Sequence, residues 1–154
     1  FAADHIPYNY KDVCDELAGY KLDNEFGWYE NALVIWSGSM KEPVQVDKYC
    51  SSIDILPTML NLCGIEYDSR LITGKDILSD SPQLVLFNGS YSFISDRCKY
   101  NNATKEIEAF PPYKEEDITQ EYLDAMFANI NNKFKLSNLI LNYNYYNIVF
   151  GDQQ

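Results

Sequence analysis

Basic residues are scarce in this chain. Lys and Arg number 12 against 23 Asp and Glu, a formal net charge of −11 over 154 residues. Such a surface repels phosphate backbones and anionic headgroups at long range, which argues against a nucleic-acid partner. Long apolar runs are missing as well. The longest uninterrupted one, Ala32 to Trp36, is far short of the roughly 20 residues that a spanning helix needs. No charged stretch followed by an apolar one opens the chain, so no signal-peptide pattern is visible and a soluble polypeptide is expected. The four cysteines, Cys14, Cys50, Cys63 and Cys98, make no C-x-x-C pair, which argues against a zinc knuckle or a thioredoxin-like centre. Two bridges in an oxidising compartment stay open as an alternative. A chain of this size does not depend on staples, so buried free thiols are the expectation. Phosphate-cradling glycine loops are absent, and so is the G-x-S-x-G elbow of serine hydrolases.

What is present is ordinary globular material. Apolar residues make up 46% and charged ones 23%, which excludes a disordered tail, a collagen-like repeat and a coiled coil. With 13 Tyr, 8 Phe and 2 Trp, packing material is plentiful. No internal repeat or linker marks a boundary, so residues 1–154 are expected to belong to one domain. Phe1-Ala2-Ala3 reads as the end of a buried strand whose beginning is not in the chain, so the sequence is expected to be the downstream part of a longer protein.

Hydrophobic spacing predicts a short amphipathic helix over Tyr10 to Leu17, stopped at Gly19. Asp12, Asp15 and Glu16 fall on its exposed face. Asn24 to Glu30 reads as loop. Ala32 to Trp36 suits a strand buried on both faces, as in a sheet with helices above and below. Ser37 to Lys48 is a connection. Ser51 to Gly64 is the clearest helix, mostly buried, with Asp54 as N-cap, Pro57 in the first turn and Gly64 as left-handed stop. Leu84 to Phe87 and Ser90 to Ile94 flank Asn88-Gly89 and predict a tight hairpin. Lys99 to Pro112 is surface loop or a further irregular hairpin. From Asp117 onward, Leu123, Met126, Phe127, Ile130 and Phe134 recur at helical spacing over about four turns or more. The Leu136 to Phe150 tail is expected to dock on the body. Asn88-Gly89-Ser90 and Asn102-Ala103-Thr104 match the N-glycosylation acceptor pattern, which turn chemistry explains better at the first site.

His5 is the only histidine, and it directly follows Asp4. A carboxylate oxygen beside an imidazole nitrogen is a natural pair of ligands for Mn²⁺ or Zn²⁺. Successive residues of a regular strand point to opposite faces, so both reach one ion only where the backbone turns between them. A strand exit supplies that turn, and ligands of open α/β sheets collect there. A lone Asp-His is also commonly a hydrogen-bonded structural pair, and no third ligand is evident. Asp68 and Asp76 flank turns, and no residue of the chain stands out as catalytic.

At these residues the chain resembles a known family. Phe1-Ala2-Ala3-Asp4-His5-Ile6-Pro7-Tyr8 is similar to the F-x-[GA]-D-H-x-P-Y strand end of lipoteichoic acid synthase-like proteins, within the sulfatase and alkaline phosphatase superfamily. Asn31 to Trp36 resembles the family's apolar strand. Val46 to Ile65, with Asp54-Ile55-Leu56-Pro57-Thr58 at its centre, resembles its helix. Tyr67 to Leu71, Gly74 to Leu78 and Phe93 to Asp96 match later segments. The likeness runs from Phe1 to about Tyr100 and more loosely to Tyr145-Tyr146.

The resemblance implies an α/β fold, a sulfatase/alkaline phosphatase-like sheet flanked by helices, with a small antiparallel hairpin in this C-terminal portion. It implies a metal-dependent phosphoglycerol transferase on the extracytoplasmic face of a bacterial cell membrane, anchored by N-terminal membrane helices that lie upstream. The substrate would be a phosphatidylglycerol-type, lipid-linked phosphoglycerol. The cofactor would be a divalent metal of the Mn²⁺ type, with Mg²⁺ and Zn²⁺ as alternatives, and Asp4 and His5 match the family's metal-binding pair. The threonine nucleophile lies upstream and has no counterpart here. Ala3 departs from the glycine of many relatives, which narrows backbone approach slightly. Two alternatives stay open: a sulfatase-type ester hydrolase, told apart by a cysteine or serine in place of the threonine, and a non-catalytic envelope-binding module with tyrosines as contacts.

Overall fold

The computed structural model describes residues 1–3, 5–87 and 89–151. The chain divides into two compact units, Phe1–Gln45 and Val46–Gln154.

The first unit holds two helices, α1 (Lys11–Ala18) and α2 (Glu25–Trp28). Helix α1 ends where the sequence predicts. Gly19 adopts φ 76°, and its N–H reaches back to the carbonyls of Asp15 and Glu16. Asp15 does not lie wholly on the exposed face: its carboxylate is half-buried and accepts the Leu22 N–H at 2.8 Å, tying the following loop to the helix. Within the expected loop, Asn24 caps the single turn of α2 by accepting the Gly27 N–H at 3.1 Å.

Ala32 to Trp36 corrects the expectation of a doubly buried strand. It forms no strand, and Trp36 is 83% exposed. Its extended backbone finds one partner, Phe1, with which Val34 exchanges two hydrogen bonds of 2.8 and 2.5 Å. A single rung of this antiparallel kind is not a ladder, and no described residue of this unit is buried.

The second unit carries a core. Helix α3 (Ile55–Leu62) follows a 3-10 turn at Ser52–Asp54 and closes on Gly64, which takes φ 66°. Only Pro57 and Thr58 of α3 are buried, while Leu56, Met59 and Leu62 are exposed. The wide apolar arc in the sequence is therefore a solvent-facing surface here, contrary to the mostly buried helix expected.

A four-stranded antiparallel meander follows: β1 (Leu84–Leu86), β2 (Phe93–Ser95), β3 (Cys98–Tyr100) and β4 (Ile107–Ala109), in that spatial order. The hairpin β1–β2 forms with Leu84 opposite Ser95 and Leu86 opposite Phe93. Its last backbone bond runs from Phe87 to Ser92 at 3.1 Å, so the turn is longer than the Asn-Gly pair alone, and Asn88 lies outside the described residues. Most of the β3–β4 hairpin falls within Lys99 to Pro112, the hairpin alternative of the two expected.

Alternation places Phe93, Cys98 and Tyr100 on one face. Against that face lies α4 (Gln120–Asn142), capped by Thr119, whose hydroxyl accepts the Tyr122 N–H. Leu123 and Ile130 of α4 are buried in one cluster with Leu84, Phe93, Cys98, Tyr100 and Ile118, and Met126, Phe127 and Phe134 pack around it. Phe127 meets Phe93 and Tyr100 edge-on at 6.2 and 5.7 Å between ring centres. The predicted stripe is thus the core face of a 23-residue helix. Beyond it, α5 (Tyr145–Phe150) packs against α4. The observed class is mixed helices with an antiparallel sheet. No helix among the described residues is long and apolar enough to cross a membrane.

Candidate functional site

Asp4, one of the two candidate metal ligands, lies outside the described residues. His5 is exposed, and its ring stacks near Tyr8 with centres 6.1 Å apart. Its Nδ1 lies 2.9 Å from the Ile6 carbonyl oxygen. A carbonyl can only accept, so Nδ1 is the donor in this contact. A metal-ligating histidine is commonly oriented in this way, with one nitrogen donating to a carbonyl and the other facing the ion. Among the described residues, no group of three or more His, Cys, Asp or Glu side chains converges as a metal site.

The Asp-Ile-Leu-Pro-Thr segment does different work. Asp54 has helical backbone angles and makes no side-chain cap to α3, which corrects the N-cap assignment. Its carboxylate instead accepts the Ser51 N–H at 2.9 Å on one oxygen and the Lys75 N–H at 2.8 Å on the other. Thr58, 1% exposed, donates its hydroxyl to the Asp54 carbonyl at 2.6 Å and accepts the Ile77 N–H at 2.9 Å. Gly74 completes the contact. A Cβ built there would lie 1.9 Å from the Ile53 oxygen, so only glycine admits the close approach. Asp54 and Thr58 are thus structural anchors that clip Gly74 to Ile77 against the start of α3. Asp76 bonds Asn61 and its own Leu78 N–H at 2.8 and 2.9 Å.

Asp68 is locked by a neighbour. Arg70 donates Nε and Nη2 to its carboxylate, and the Arg70 N–H adds a third bond. These side-chain and then backbone bonds hold the Asp68 carboxyl down to about 2.

Two polar features of the second unit carry no motif in the sequence. The buried Ser95 hydroxyl accepts the Arg97 and Cys98 N–H groups, each at 3.1 Å, and the Tyr122 hydroxyl at 2.9 Å. Arg97 lies over the rings of Tyr113 and Tyr122, at 5.0 and 4.7 Å from their centres. The other feature is a small cleft bounded by Lys48, Lys75 and Lys133. These lysines are far apart in sequence, so no spacing pattern announces them.

All four cysteines are free, but only Cys98 is buried and Cys63 is exposed. The Asn102 side-chain amide donates to the Ser90 carbonyl at 2.7 Å and is occupied as a turn-building group. Asn88, the other acceptor-pattern asparagine, is outside the described residues. No family model matches the chain, and neither a curated protein nor a solved structure matches it.

Proposed function

We propose that this chain is the C-terminal part of the catalytic domain of a metal-dependent phosphoglycerol transferase, similar to lipoteichoic acid synthases and built on a sulfatase/alkaline phosphatase-like sheet. It would act on phosphatidylglycerol-type lipids at the extracytoplasmic face of a bacterial membrane. The support is the sequence of the Phe1 to Tyr8 segment, with its adjacent Asp4 and His5, followed in family order by the Asp54 to Thr58 and Gly74 to Leu78 segments. That the last two segments hold each other through Asp54, Thr58 and Gly74 accords with their reading as one inherited unit.

In this proposal Asp4 and His5 hold the cation and neither attacks substrate. His5 would hold it through its imidazole, whose Nδ1 donates to the Ile6 carbonyl. Asp4 adds a negative oxygen, which lowers the net charge of the site and disfavours loss of the ion. Remaining ligands, the threonine nucleophile and the membrane helices come from polypeptide outside these residues. When bound, a divalent ion supplies Lewis-acid stabilisation of phosphoryl oxygens and a lower pKa for a hydroxyl nucleophile.

The test is Asp4→Ala and His5→Ala in the full-length protein. Release of diacylglycerol from phosphatidylglycerol with Mn²⁺ should fall by roughly 100-fold or more, and bound metal measured by mass spectrometry should drop below one ion per chain. Near-normal turnover with stoichiometric metal in both variants would refute the assignment. Turnover of an aryl sulfate and not of the lipid would replace it with the hydrolase.

A further inference from the structure

Three lysines of a strongly acidic chain line one cleft of the second unit. Lys48, Lys75 and Lys133 line it, with Asp54, Asp76 and Ile77 on the same wall, around a volume of about 20 Å³. Each lysine donates to a backbone carbonyl: Lys48 to Ser79 at 2.7 Å, Lys75 to Pro82 at 3.4 Å, and Lys133 to Thr73 at 2.6 Å. The ion pairs Arg70–Asp68, Lys99–Glu108 and Lys114–Glu116 involve none of these three lysines. That is unexpected where acids outnumber bases 23 to 12.

The two carboxylates of the wall are already committed. Asp54 serves the Ser51 and Lys75 N–H groups, and Asp76 serves Asn61 and Leu78. Each ammonium has three donors and gives one to a carbonyl, so donors remain for a ligand. Burial, and then the neighbouring Lys75 charge, push the Lys133 pKa down, while Asp54 opposes the shift. The ammonium is thus under-compensated where it stands, and an anion would relieve it.

We propose that this cleft binds a phosphate-type oxyanion, with Lys75, Lys133 and Lys48 as its cations. A volume near 20 Å³ admits about one water-sized group, so one oxygen of the anion enters and the rest stays at the mouth. A phosphate monoester or diester headgroup suits that shape, whereas a buried nucleotide or acyl chain does not. The site uses no residue of Phe1 to Tyr8 and is independent of the metal proposal.

The test is a nitrogen-15 NMR titration of the 154-residue chain. The probes are inorganic phosphate, glycerol phosphate, and vesicles of phosphatidylglycerol or phosphatidylcholine, with sodium chloride at matched ionic strength as control. The Lys75 and Ile77 amides should shift and saturate with phosphate. Lys75→Gln or Lys133→Gln should weaken binding by about tenfold, as loss of one charge-assisted contact does. Lys135→Gln, on the exposed side of the same helix, should leave it unchanged. Tighter binding of glycerol phosphate and phosphatidylglycerol than of free phosphate assigns the anion to a lipid headgroup, and equal binding assigns it to free phosphate. Both uphold the site. If Lys133→Gln fails to fold, Lys48→Gln should weaken binding and Lys75→Arg should retain it. Equal shifts with sodium chloride, or unchanged phosphate binding in a folded Lys48→Gln, Lys75→Gln double variant, overturn the proposal.

Discussion

Replacing Gly74 by alanine sets a methyl group against the backbone at the start of α3. The new Cβ would stand 1.9 Å from the Ile53 oxygen, 2.5 Å from the Ile53 carbonyl carbon and 3.0 Å from the Asp54 nitrogen. Backbone atoms cannot rotate away as a side chain can, so the loop must retreat by about 1.5 Å to reach ordinary contact. That movement carries the Lys75 and Ile77 N–H groups out of range of Asp54 and Thr58, now at 2.8 and 2.9 Å. Overpacking strain costs about 1–3 kcal/mol. The bond to the carboxylate contributes about 1.5–3 kcal/mol and the one to the hydroxyl about 0.5–1.5. The terms overlap because retreat relieves strain by breaking bonds, and alanine recovers about 0.4–1 kcal/mol by stiffening the unfolded chain. The net is about 3–5 kcal/mol, a large part of the ~5–15 kcal/mol of a typical domain.

Urea unfolding followed by far-ultraviolet circular dichroism reads this as a midpoint lower by about 2 M. Native-state hydrogen exchange should show the Lys75 and Ile77 amides losing protection first. Gly19→Ala is the control, since Gly19 has φ 76° and nothing within 4 Å. Its cost is conformational only, about 1 kcal/mol. A loss below about 1 kcal/mol at Gly74, with both amides still protected, would refute the clip as a determinant of stability.

Thr58→Val keeps the buried shape but removes the acceptor of the Ile77 N–H, and should cost about 1–3 kcal/mol in the same urea assay, whereas Thr58→Ser should keep most of the stability. Asp68 should stay ionised in acid by carboxyl carbon NMR, with a midpoint near the value of about 2 that Arg70 imposes. Its folded pKa is depressed, so its contribution is complete above the unfolded value of about 3.9 and is lost as pH falls through about 2; Arg70→Gln should return the midpoint to the ordinary carboxylate range. Burial raises the pKa of the Cys98 thiol, and burial followed by Asp54 raises that of Cys50. Iodoacetamide at pH 8, read by mass spectrometry, should therefore label exposed Cys63 first and Cys98 only on unfolding.

Local pattern alone determined several elements. The glycine stops at Gly19 and Gly64 follow from backbone angles open to glycine. The pairing of β1 with β2 follows from two apolar runs close in sequence, although the turn between them is longer than the tight one expected, and the core face of α4 follows from a helical stripe within one segment. Each depends on residues close in sequence, so spacing is sufficient evidence. Tertiary structure decided what Asp54, Thr58 and Gly74 do. The Asp54 and Thr58 bonds span 21 and 19 positions, and no local preference distinguishes a capping aspartate from one serving a distant loop. The same limit applies to Ala32 to Trp36. A run of apolar residues shows that a segment can be buried, but a strand also needs a ladder, and here the backbone meets a single rung at Phe1. The lysine cleft is the third case: like charges gather there because three separate segments fold to one place, which only the closed chain can bring about.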